Sequence, residues 1–141
     1  MNILISLLFL LIPVSNSKQG VEGSLREIKG NQMGIEKTSS QKGQPLVGAI
    51  YLYKNLTNTQ LEGLEGQWCK SVQQKPYKII QTNNKGQFKQ ALPAGKYFIL
   101  ASAYDGYFIP SFDQHNQPSS ILVVSGKYTP VNILVNSKAI Y

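Results

Sequence analysis

The 141-residue chain holds one cysteine, one histidine, one tryptophan and a single arginine, and beyond its first residues no long apolar run. Each scarcity excludes something. A lone cysteine, Cys69, cannot close an intrachain disulfide, so the fold must rest on its core. One histidine (His115), one cysteine and only 7 acidic residues leave too few ligands for a zinc or calcium site. We therefore expect no metal and no cofactor. Gly-x-Ser-x-Gly, paired carboxylates and a phosphate loop are all missing, so catalytic residues are expected to be absent and the protein is not expected to be an enzyme. Arg26 is alone among 14 basic residues. Base-edge readout and bidentate phosphate recognition favour arginine, which argues against a nucleic-acid partner. The remaining basic residues are lysines dispersed along the chain, giving a net charge of +7. They read as a solvated surface, some of them protecting strand edges.

What is present begins with a leader. Residues 3–14 are apolar apart from Ser6 and Pro13, and Ser15-Asn16-Ser17 follows with small residues where signal peptidase reads. The run is shorter than the ~20 apolar residues that span a bilayer. Residues 1–17 are thus expected to be a signal peptide cleaved before Lys18, leaving no membrane span and a secreted or periplasmic protein. Lys18 stands where a lipid-anchored protein needs cysteine. Residues 18–141 then form one domain, long enough to bury a core.

That domain shows no sustained 3.6-residue period. It reads as about seven β-runs separated by turn clusters: 21–26, 46–53, 77–82, 86–92, 97–104, 121–124 and 131–135. In the last, Val131, Ile133 and Val135 share one face and Asn132, Leu134 and Asn136 the other. Asn83-Asn84-Lys85-Gly86 predicts a hairpin. The expected fold is all-β, a seven-stranded antiparallel β-sandwich with Greek-key connections of the transthyretin-like or immunoglobulin-like kind. Its expected core is Val21, Leu25, Phe88, Leu92, Tyr97, Ile99, Leu122, Val124, Val131, Ile133 and Val135. The run at 50–53 is apolar on both faces, so its inward side stays open. Segments 29–44 and 55–75 read as loops, with a short helical turn near Gln60.

Gly20-Val21-Glu22-Gly23, then 43–49 (Gly-Gln-Pro-Leu-Val-Gly-Ala), Lys85-Gly86-Gln87-Phe88 and 91–97 (Ala-Leu-Pro-Ala-Gly-Lys-Tyr) resemble a carboxypeptidase regulatory-like domain. Similar phrases occur in collagen-adhesin B-type repeats and other transthyretin-like sandwiches, and the end of the chain looks like that of short stand-alone exported bacterial forms. The resemblance implies an accessory role beside other proteins of the cell envelope, and it brings no catalytic residues to carry over. An adhesin-like isopeptide between Lys29 and Asn132 or Asn136 needs a buried trio, whereas the alternation turns both asparagines outward.

The remaining lead is aromatic. Trp68 lies in the long loop, and Tyr104, Tyr107, Phe108 and Phe112 surround Asp105-Gly106, followed by His115 in a polar turn. Such rings either cover the end of the sandwich or present a contact for a partner protein or a glycan. Two roles are thus expected from the sequence: a non-catalytic structural or protein-interaction module of the bacterial cell envelope, with an envelope protein as partner, or a carbohydrate-binding module using these loop aromatics.

Overall fold

The computed structural model describes residues 18–28 and 43–136, and over them the protein is an all-β sandwich. The leader at 1–17, most of the expected loop at 29–44, and Lys29 lie outside the described residues. One sheet consists of β1 (Gly20–Ile28), β2 (Gln44–Pro45), β8 (Gln87–Ala91) and β12 (Tyr128–Asn136). The other consists of β3 (Ala49–Tyr53), β5 (Trp68–Cys69), β7 (Lys78–Gln81), β9 (Gly95–Ala103), β10 (Gly106–Phe108) and β11 (Ser120–Val123). A two-stranded ribbon, β4 (Leu61–Glu62) with β6 (Ser71–Val72), stands apart.

The second sheet is organised by β9, whose nine residues pair with β3 on one side and with β11 and then β10 on the other. Alternation along β9 sends Tyr97, Ile99, Ala101 and Ala103 one way and Phe98, Leu100 and Ser102 the other. Of the first set, Tyr97, Ile99 and Ala101 meet Val21, Leu25, Phe88, Val131, Ile133 and Val135 between the sheets. The second set is covered too. The segment 55–75, expected as a loop with a helical turn near Gln60, carries a 3₁₀ turn at Asn58–Gln60 and the β4–β6 ribbon, and brings Leu56, Leu61 and Val72 over Tyr51, Tyr53 and Leu100. Glu62 fastens the ribbon by accepting hydrogen bonds from Ser71 Oγ and Gln73 Nε2. This cover resolves the two-faced run at 50–53: Ile50 and Leu52 enter the main core, while Tyr53 enters an outer one. Each large side chain buried there contributes roughly 1.5–3 kcal/mol.

Local chemistry explains the entry to β9. Gly95 takes φ +150°, open to glycine but rarely to other residues, and the Tyr97 hydroxyl donates to the Pro93 carbonyl at 2.7 Å. The turn is thereby tied to a ring that is itself buried, with Lys54 Nζ 4.5 Å from the ring centroid.

Four expectations change. The sandwich is not antiparallel throughout, since β1 and β12 run parallel over nine residues. Their contact is so close at Gly23 that a Cβ there would lie 1.6 Å from the Val131 carbonyl oxygen. The turn at 83–86 closes, with Gly86 N–H donating to Asn83 O at 3.0 Å, but it joins no hairpin. It is a corner that carries the chain from β7 in one sheet to β8 in the other. Leu122 and Val124 are not core residues: they are exposed, and Val123 is buried instead, with Ile121 partly so. The register Val123↔Gly95 and Ile121↔Tyr97 sets that phase, because four consecutive apolar residues carry no alternation of their own. Finally, Trp68 belongs to a strand rather than a loop.

Candidate functional site

The six expected contact residues are divided by the alternation of β10. Phe108 points inward and is buried, and Trp68, its register partner on β5, packs against it with ring centroids 5.3 Å apart. Tyr107 points to the opposite face, where it meets Tyr51 edge-on at 5.2 Å, near Cys69 and Tyr53. Burial pushes the Tyr53 hydroxyl far above its usual range, with Tyr107, Tyr51 and Cys69 adding to it, and also raises Tyr107. The Cys69 thiol is raised by burial alone, which keeps it protonated and unreactive at neutral pH. Phe112 joins the outer core and bridges to Pro118.

Tyr104 stands apart. It occupies the β9–β10 turn with φ +56° and is 60% exposed, its ring 6.4 Å from Trp68. A bulky residue held at positive φ costs on the order of 1 kcal/mol. Trp68, Tyr104 and Phe108 thus form one stepped aromatic group running from core to solvent.

His115 sits at an exposed turn built by its neighbour. Asp113 Oδ1 accepts from the backbone N–H of His115 at 2.7 Å and of Gln117 at 3.0 Å. The bonds from Gln117 and then His115 hold the carboxyl below its usual range. Asn58 ties this turn to the cover segment, donating from Nδ2 to Asn116 O and from its backbone N–H to Gln117 Oε1. Asp113 is therefore a turn staple. Among the described residues no three His, Cys, Asp or Glu side chains gather where a metal ion could be held.

A second feature arises from topology. β11 lies in one sheet and β12 in the other, and the corner that joins them leaves an opening between the two strands. The opening is a cleft of about 230 Å³ floored by Ile99, Ile121, Val131 and Ile133. Its rim is Ser111, Ser119, Ser120 and Asn132, with Pro110 and Pro130. No lining residue is charged. On the opposite side of the sandwich the β7–β8 corner opens a groove of about 340 Å³ lined by Gln81, Thr82, Asn83, Gln87, Phe88 and Lys89. That groove is polar where the first is apolar. Sequence reasoning missed the cleft because it assigned strand residues wholly to the core. The signal that marks it is the lack of any charge in 118–124 and 128–136.

No family model, curated protein or solved structure matches this chain.

Proposed function

We propose that this chain is an exported, non-catalytic interaction module of the bacterial cell envelope, a carboxypeptidase regulatory-like sandwich that holds a partner protein at its edge. Export rests on the leader pattern at 1–17, and the family on the four motifs described above. The observation that carries the binding role is the cleft between β11 and β12. Its aliphatic floor favours an apolar group, and its hydroxyl and amide rim supplies hydrogen bonds without charge. At about 230 Å³ it falls below the ~300–1,000 Å³ of ordinary small-molecule sites, which suits an anchoring side chain of a protein. Dispersed lysines speed approach to an anionic envelope partner more than they select it.

The test is a cross-linking pull-down from the envelope fraction, comparing the native chain with Ser119→Trp, which shares the inward parity of Ile121 and fills the cleft. A partner captured by the native chain and lost by a folded variant supports the reading. Retention of that partner by the variant removes the cleft from it, and capture of no partner removes the interaction role.

The exposed Tyr104 ring beside Trp68 favours a second reading, carbohydrate binding by stacking on aromatic faces. A glycan array read with native and Tyr104→Ala protein decides it: signal abolished by the substitution supports sugar binding, and no signal ends it.

A further inference from the structure

Edge strands expose unpaired backbone groups and are commonly protected by lysine. On one side of this sandwich the protection is in place, since β7 carries Lys78 and β8 carries Lys89. On the other side it is missing. β12 reads Tyr-Thr-Pro-Val-Asn-Ile-Leu-Val-Asn, nine residues without a charge, and β11 reads Ser-Ile-Leu-Val. This occurs in a chain with 14 basic residues. Among the described residues β12 pairs with β1 alone, leaving its other edge open. Both strands also carry exposed apolar side chains: Leu122 on β11, Val124 just after it, and Leu134 on β12 at 41% exposure.

The phase of the ladder shows which groups face the open edge. Gly20 lies opposite Tyr128, and its N–H donates to the Lys127 carbonyl. In a parallel pair alternate residues make the bonds, so Thr129, Val131, Ile133 and Val135 serve β1. The backbone groups of Tyr128, Pro130, Asn132, Leu134 and Asn136 are directed the other way. Pro130 lacks an N–H and so forfeits one donor, which is tolerated in an edge strand.

We propose that this edge pairs with the same edge of a second copy, antiparallel about a two-fold axis through Asn132. Asn132 is the midpoint of the nine-residue strand, so this register overlaps both strands completely. It also places edge-facing residues opposite edge-facing residues throughout. On the outer face the pairs then match in chemistry. Asn132 meets its own counterpart, amide to amide, while its Oδ1 already accepts from Ser24 Oγ at 3.0 Å. Leu134 meets Pro130, and Asn136 meets Tyr128. On the inner face Val131 meets Ile133. No charge is buried and no like charges face each other, so a strand of this chain satisfies an edge that offers a charged partner nothing. An isologous pair uses both open β12 edges and closes the assembly at two copies.

The net charge of +7 on each copy opposes approach at long range, so salt should strengthen association. The experiment is sedimentation and light scattering of the exported chain across concentration and ionic strength. Alongside them, amide hydrogen exchange follows Asn132 and Leu134. The expected result is a doubling of mass that grows with both variables, with slowed exchange at those two amides as the dimer forms. Asn132→Lys should stay monomeric under the same conditions. Its side chain is exposed, so the fold survives, which an unchanged unfolding midpoint verifies. A native chain that is monomeric throughout overturns the proposal. So does a dimer that persists in the folded Asn132→Lys variant, or one that leaves the exchange of Asn132 and Leu134 unchanged.

Discussion

Replacing Val123 by alanine tests the phase of β11, where sequence and structure disagree. Val123 is 1% exposed and belongs to the main core, whereas Leu122 beside it is 60% exposed. Val123→Ala removes two buried carbons, worth ~0.8 kcal/mol each in transfer. The cavity left behind adds about 1 kcal/mol at ~24 cal/mol per Å³, for a total of about 2–3 kcal/mol. Leu122→Ala removes more carbon but from solvent, and its backbone carbonyl still accepts from Thr129 Oγ1. It should stay within ~0.5 kcal/mol of the native chain. Urea unfolding measures both, and at slopes of ~1–3 kcal/mol/M the Val123 variant should lose roughly 1–2 M in midpoint. Unchanged slopes would show that the unfolded state is not the cause. A larger loss for Leu122→Ala would restore the alternative phase, and equal losses would mean that β11 does not sit flat on the sandwich.

Three further outcomes follow from the same geometry. Gly23→Ala places a methyl on the Val131 carbonyl, so it should cost on the order of 3 kcal/mol or more; an unfolding midpoint near the native value would contradict the parallel β1–β12 contact. Tyr104→Gly relieves a strain of about 1 kcal/mol at positive φ and should raise the thermal midpoint; a lowered midpoint would show that the contact with Trp68 outweighs the strain. Because Tyr53 and Cys69 are raised from ordinary values of 10.0 and 9.0, the unfolded chain ionises first. Stability should hold below about pH 9 and fall above it by up to ~1.4 kcal/mol per pH unit for each group; alkaline denaturant titrations that stay flat would show these groups are solvated.

The sequence was legible where one face of a strand is wet. In β12 the polar or exposed residues Pro130, Asn132, Leu134 and Asn136 alternate with buried Val131, Ile133 and Val135, and the pattern alone sets the facing. It was silent where apolar residues run consecutively. For 121–124 the phase comes from pairing with β9, a contact remote in sequence. The run at 50–53 showed two apolar faces, but not that 55–75 folds back to cover the outer one. Parallel pairing of the first and last strands likewise leaves no local mark, because their residues meet only in the finished sheet. Of the aromatic site, composition identified the rings, and the alternation of β10 then separated Tyr107 from Phe108. The cleft needed strands of two different sheets to meet at one edge and could be glimpsed only as missing charge.

The two proposals meet at Asn132, which rims the cleft and marks the two-fold axis. A second copy laid along β12 stands at the mouth of the cleft, so binding there and pairing of copies draw on one strand. Linkage makes the consequence reciprocal: the factor by which a cleft occupant changes dimer affinity is the factor by which dimerisation changes the occupant's affinity. An occupant that needs the edge exposed competes with pairing, and salt, by favouring the dimer, should weaken its binding. An occupant that anchors one side chain beneath an intact dimer should bind more tightly as salt rises. Measuring partner affinity against ionic strength in native protein and in Leu134→Pro, which removes an edge-facing N–H outside the cleft lining without adding charge, separates the cases, since only the native chain carries the dimer contribution. Parallel salt dependence in both proteins would show that cleft and edge act independently.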